Sequence, residues 1–229
     1  MRYFFLILLT FFAVKNADAQ IYEVGVFVGG SNFIGDVGAT DYISPNQGAF
    51  GAIVKWNRSP RHSFRATVIF SNLEGIDGKS DDPRRKQRGY SFNTSILEIS
   101  AGMEFTFLDF DLHTSGIKGT PYLYTGITLA NHDNFYFNQA GEIISEDTSS
   151  WAYGIPMALG YKTNISNHLI LAAEIGARYT FSDEIDGSAP DSEYREQFSF
   201  GNTNSTDWYV FSGITLTYTF GRRPCYCNF

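Results

Sequence analysis

Cysteine is scarce in this 229-residue chain: there are two, Cys225 and Cys227, both at its far end. Every strand-like run precedes them, so they cannot staple the fold. They are free thiols, a strained local pair, or half of a zinc site, and no metal centre is expected from them alone. Beyond the first residues there is no apolar stretch of the 18 or more that a membrane helix needs, which excludes a helical span. There is also no excess of positive charge. The formal net charge is −7, which excludes nucleic acid as a partner.

Catalytic signatures are missing too. No Gly-x-Ser-x-Gly, His-Glu-x-x-His or Cys–His pairing occurs, and there are four histidines. His62 and His168 fall at short turns, His113 lies in a short link, and His132 opens a long link with no serine motif beside it. No enzyme activity and no cofactor is therefore expected.

What is present is patterned. Arg2, an apolar run over 3–14 and Ala17-Asp18-Ala19 have the layout of a secretory signal peptide. Residues 1–19 are read as that signal, 20–220 as one domain and 221–229 as a C-terminal tail. Aromatic residues make up 17% of the chain, a share that suits strands with aromatic girdles.

Eight alternating runs follow the signal. They cover 22–30, 49–56, 64–71, about 95–107, 121–130, 151–162, 169–179 and 208–220. In the fourth, Leu97, Ile99, Ala101, Met103, Phe105 and Phe107 share one face, and Glu98, Ser100, Gly102, Glu104 and Thr106 share the other. The fifth is undecided, because Tyr122 and Tyr124 compete with Leu123 and Ile127 for the apolar face. Long polar links (about 31–47, 74–92, 131–150 and 182–206) alternate with short ones (57–61, 108–120 and 163–168).

This arrangement predicts an all-β fold, an eight-stranded antiparallel transmembrane β-barrel. It would sit in the outer membrane with both termini in the periplasm. A soluble barrel alternates as well, but would have to bury Glu23, Lys55, Arg65, Glu98, Glu104, Glu174 and Arg178. A membrane barrel can line its narrow lumen with these seven residues. There they are expected to act as a charge network that plugs the interior rather than as a conducting path. Strand eight, with Gly213 followed by alternating Thr and apolar residues to Phe220, is similar to the signal read by barrel assembly machinery. Two loops are charged. Lys79, Arg84, Arg85, Lys86 and Arg88 form a basic stretch at the level of lipopolysaccharide phosphates, diluted by Asp77, Asp81 and Asp82. Asp183, Glu184, Asp186, Asp191, Glu193 and Glu196 make the last long link acidic, without calcium-loop spacing.

Several motifs exceed what alternation alone would generate. They are Glu23-Val24-Gly25-Val26-Phe27-Val28-Gly29-Gly30-Ser31-Asn32-Phe33-Ile34-Gly35-Asp36-Val37-Gly38 and Lys55-Trp56-Asn57-Arg58-Ser59-Pro60-Arg61-His62-Ser63. With them go Arg85-Lys86-Gln87-Arg88-Gly89-Tyr90-Ser91-Phe92, Phe107-Leu108-Asp109-Phe110-Asp111-Leu112-His113, Thr120-Pro121-Tyr122 and Cys225-Tyr226-Cys227. On these the chain resembles the PorG-like outer-membrane barrel proteins of the Bacteroidota type IX secretion system. The resemblance is densest before residue 125. It implies a non-enzymatic anchor of the secretion and gliding machinery that contacts a periplasmic ring, built from a lipoprotein and its partner protein.

The expected contact residues lie where periplasmic surface is available. They are Arg58, Arg61 and His62 in one turn, Asp109, Asp111 and His113 in another, and Arg222, Arg223, Cys225, Tyr226, Cys227 and Phe229 in the tail. The other expected partner is outer-membrane lipid, including lipopolysaccharide. A competing expectation is a stand-alone OmpX- or OmpA-like barrel that binds surface ligands through its outer loops.

Overall fold

The computed structural model describes residues 21–111, 116–190, 194–202 and 205–221. The expected signal peptide, His113, Asp191, Glu193 and the tail residues Arg222, Arg223, Cys225, Tyr226, Cys227 and Phe229 lie outside the described residues.

Eight strands alternate in burial every second residue, and each pairs antiparallel with its sequence neighbours. They are β1 (Ile21–Ile34), β2 (Gln47–Asn57), β3 (His62–Ile76), β4 (Ser91–Thr106), β5 (Gly119–Phe137), β6 (Ile143–Asn164), β7 (Leu169–Thr180) and β8 (Trp208–Phe220). The first strand also pairs with the last, with Tyr22 opposite Phe220 and Ile34 opposite Trp208, so the sheet closes without an edge. Two short helices, α1 (Pro83–Arg88) and α2 (Arg195–Phe198), lie in the loops after β3 and β7. The start of β1, the end of β8 and the three short connections share one end, called here the turn end. The four remaining loops lie at the opposite, loop end.

The outer wall is apolar in a continuous band. Val26, Ile127, Leu159 and Ile214 are each more than half exposed there. Aromatic rings border the band. Stacked Tyr22–Phe220 and the pair Trp56–Phe64 lie toward the turn end, while Tyr179–Trp208, Trp151 and Phe181 lie toward the loop end. Apolar wall between aromatic girdles, around a charged interior, is the polarity of a transmembrane barrel. In strand five the ambiguity resolves by parity: Tyr122 and Tyr124 point inward and are buried, and Leu123 and Ile127 face outward.

Several strands run well past the lengths expected from sequence. Residues 131–137 and 143–150, expected in a long polar link, instead extend the β5–β6 hairpin, which turns over 138–142. The alternation was hidden by a change of rule. Above the membrane band the outer face becomes polar: on β5 Asp133 faces out while His132 and Asn134 are buried, and residues 143–150 of β6 are largely exposed. A register shift between Asp133 and Phe135 then turns Phe135 and Phe137 inward. The lumen is thus polar only in part. Toward the loop end it is packed with Phe33, Leu73, Phe92, Ile96, Phe135 and Phe137, capped by Val37 and Ile185 from the first and last loops.

The basic stretch divides in the same way. Arg88 turns in to grip Asp77 at 2.7 Å and Arg85 donates to the Gly38 carbonyl, while Lys79, Arg84 and Lys86 stay exposed. Arg88 also lies over the rings of Tyr90 and Phe200, 4.9 Å from each. This arginine fastens a loop rather than offering its charge to solvent.

Candidate functional site

The seven charged residues singled out in the sequence all point into the lumen and are buried. They form two groups and one outlier. Nearer the turn end, Glu104 accepts from Lys55 and Lys162, each at 2.7 Å, with Arg65 3.8 Å away. Arg65 makes a bidentate pair with Glu174 at 2.6 and 2.7 Å, and Glu174 also accepts from the Tyr122 hydroxyl at 2.6 Å. Nearer the loop end, Arg178 pairs with Glu98 at 3.1 Å and lies 4.6 Å over the Phe211 ring. Tyr209 donates to the same Glu98 at 2.7 Å. Glu23 stands apart, accepting from the Asn57 amide and the Thr217 hydroxyl at 2.7 and 2.8 Å.

A buried ion is tolerated only when partners fill its hydrogen-bonding capacity, and each carboxylate here has at least two donors. Lys162, Tyr122, Tyr209, Asn57 and Thr217 were missed in the sequence. For Lys162 the signal was present, since Tyr161 facing outward forces its neighbour inward. Hydroxyls and amides carried no such signal.

Opposite charges held this closely, below an apolar core, leave the barrel interior as a plug. Chemistry with the outside is therefore confined to the two ends and the outer wall. At the turn end, Phe110 tucks under the lumen, its ring 4.9 Å from the Lys162 ammonium, and its backbone N–H donates to Pro60. The neighbouring surface gathers four of the expected contact residues. Arg61 and Asp109 pair at 2.5 Å in the open, Arg58 lies over Trp56, and His62 lies against Phe105. Asp111 follows on the same segment, its carbonyl accepting from Lys118. Ile117 and Leu108 are exposed beside them.

At the loop end, aspartates stitch the first and last loops together. Asp186 accepts from the backbone N–H groups of Asp36, Val37 and Ser188, and Asp207 accepts from that of Ile185. Asp36 in turn accepts from Asn202. Burial, reinforced by the carboxylates of Asp186 and Asp36, pushes the Asp183 carboxyl up to about 7. Burial likewise raises Asp186, and it lifts Asp207 well above the ordinary carboxylate range. Among the described residues, no group of three or more His, Cys, Asp or Glu side chains is arranged to hold a metal ion.

The family described as "Domain of unknown function (DUF6089)" matches residues 2–229. No curated protein matches the sequence significantly. Three solved structures are similar in strand framework. One is the attachment invasion locus protein Ail of Yersinia pestis in complex with the heparin analogue sucrose octasulfate (9% identity, 88% of this chain, 99% of that chain, TM-score 0.45). Another is Neisserial surface protein A (10%, 90%, 100%, 0.46). The third is a major outer membrane protein from Thermus thermophilus (13%, 88%, 100%, 0.48).

Proposed function

The chain belongs to the DUF6089 family, and on the PorG-like motifs in its sequence we propose that it is a non-enzymatic outer-membrane anchor subunit of the type IX secretion and gliding machinery. Its turn end and both termini would face the periplasm. The observation that carries this reading is the filled lumen: charge pairs and an apolar core occupy the interior, which leaves the ends and the lipid-facing wall, and of these the ends are what a water-borne partner can reach. The turn end offers Arg58, Arg61, His62 and Asp109 beside exposed Leu108 and Ile117, a mixed charged and apolar surface suited to a protein partner. The partners under this reading are the ring lipoprotein and its companion, with lipid around the wall.

Truncation after Phe220 tests it. The shortened barrel should still insert, while affinity capture loses the ring proteins and secretion falls. Unchanged secretion in both the truncation and a full deletion would sink the reading.

A second reading, a stand-alone barrel that binds surface ligands, is favoured by exposed Tyr42, Ile43 and Ile143 at the loop end. It predicts that deletion abolishes ligand adhesion and leaves secretion intact.

A further inference from the structure

We propose that the loop joining β1 to β2 is a strap whose outer limb is seated in the lipopolysaccharide leaflet by Tyr42 and Ile43. The inference rests on the orientation given above, with the loop end outward, and not on the secretion role. It begins with a notch in the wall. The β1–β2 ladder stops at Ser31–Gln47, whereas β1 runs on to Ile34 and β3 to Ile76. Above β2 the barrel therefore has an opening through which a loop can pass from the mouth to the outside.

The first limb of the loop caps the lumen. Val37 is fully buried, Asp36 and Val37 donate their N–H groups to Asp186, and Gly38 donates to Asp77. Gly38, at φ 99°, then turns the chain out of the mouth.

The second limb lies on the outer face of β1. Ser31 and Phe33 are buried in the interior, so Asn32 between them points outward. Its side-chain amide donates to the carbonyls of Asp41 and Tyr42 at 2.9 and 3.4 Å, and its side-chain oxygen accepts from the Ser44 N–H at 3.4 Å. Lower down, Pro45 rests on outward-facing Gly30, where an added Cβ would meet the proline ring at 2.7 Å. The cover shows in the burial. Val28 and Ile214, lower on the same two strands, are more than half exposed, while outward Asn32 and its β8 partner Val210 are each 3% exposed.

Height then names the occupant. Ile34 pairs with Trp208, and Asn32 with Val210 one step down the same face. Trp208 packs edge-on against Tyr179 in the loop-end girdle, so the limb is level with that girdle. What surrounds a barrel there is the head-group border of the leaflet. To it the limb offers Tyr42 and Ile43, 78% and 58% exposed. A ring with a hydroxyl beside a branched alkyl chain suits a border where sugar gives way to acyl chains. With the loop end outward, the lipid of that leaflet is lipopolysaccharide. The seat takes Tyr42 and Ile43 from the ligand surface of the second reading and leaves it Ile143.

The test places the photoreactive residue p-benzoylphenylalanine at position 42, 43 or 143 of the full chain and irradiates intact outer membranes. Ile143 is also exposed, but at the tip of the β5–β6 hairpin, and serves as the contrast. Positions 42 and 43 should give lipopolysaccharide adducts, identified by mass, about fivefold over position 143. Asn32→Ala releases the limb without touching the two side chains. It should lower that yield about fivefold, the loss of a hydrogen-bonded clamp, while heat-shifted gel mobility reports a folded barrel. A yield equal to that at position 143, or one unchanged by Asn32→Ala, would overturn the proposal. So would adducts at 42 and 43 with a second copy of the chain or another protein. Adducts with phospholipid alone would overturn it together with the orientation, whereas failure of the secretion role leaves the adducts unchanged.

Discussion

Replacing Glu104 by Gln should be among the most damaging single changes in the barrel, and the structure gives the reason. The carboxylate receives Lys55 and Lys162 at 2.7 Å and has Arg65 at 3.8 Å, all four side chains being almost inaccessible to solvent. Glutamine keeps the shape but removes the charge, leaving three cations against Glu174 alone in that group. Unit charges about 4 Å apart interact by about 4 kcal/mol at an effective dielectric constant of about 20. Desolvation already offsets much of that attraction, so the realistic cost is that of orphaning a buried ion, about 3–5 kcal/mol. Urea unfolding in lipid vesicles, followed by tryptophan fluorescence and by heat-shifted gel mobility, measures it. The exposed pair Arg61–Asp109 provides the internal contrast. It is as short, yet Asp109 is 69% and Arg61 48% exposed, so Asp109→Asn should cost no more than about 1 kcal/mol. Adding Lys162→Gln to Glu104→Gln should restore part of the loss, since the second change removes one of the orphaned cations. If Glu104→Gln falls within about 1 kcal/mol of the natural protein, the lumen is wet enough to screen its charges and the plug argument fails.

Three further outcomes are expected of the same structure. The stitching of the loop end should weaken as pH rises. Asp183 is raised to about 7, so its contribution is full below the ordinary carboxylate range near 4 and is lost as pH climbs through 7. Deuterium uptake at the Ile185 and Ser188 amides, corrected for intrinsic rate, should therefore be faster at pH 8 than at pH 5; an Asp183→Asn protein that keeps the full pH effect would refute this. Gly160→Val should cost about 1–3 kcal/mol by overpacking, because a Cβ there would strike the Tyr122 ring at 2.4 Å, and an unchanged urea midpoint would count against the packing. Planar-bilayer recordings should show no steady conductance, whereas a stable open level would contradict a filled lumen.

The fold was legible where one physical rule held along a whole strand. In β4 the opposition of Leu97, Ile99 and Met103 to Glu98, Ser100 and Glu104 states both the alternation and its polarity, and the charged lumen residues could be picked out for that reason. Legibility failed where the solvent outside the wall changes from lipid to water. There Asn131 and Asp133 read as loop, because polar side chains belong outside and Phe135 belongs inside. Tyr122 was ambiguous for a different cause: a ring with a hydroxyl suits a lipid girdle and a carboxylate partner equally well. The folding-in of Arg88 onto Asp77 had no local signature, since it depends on how a whole loop crosses the barrel mouth.

The change of interior from charged to apolar part-way along the barrel has a consequence for how variation accumulates. Below the girdle at the loop end, a charge is ruinous on the wall and welcome inside; above it a charge is welcome on the wall, and inside only where a partner such as Arg88 on Asp77 receives it. The upper storey is thus a water-soluble barrel seated on a membrane one, continuous in backbone but subject to its own selection. It can be lengthened, shortened or re-surfaced by changes to β5 and β6 without disturbing the seal against lipid. Related chains should therefore diverge fastest in that storey, with the charged plug beneath it left alone.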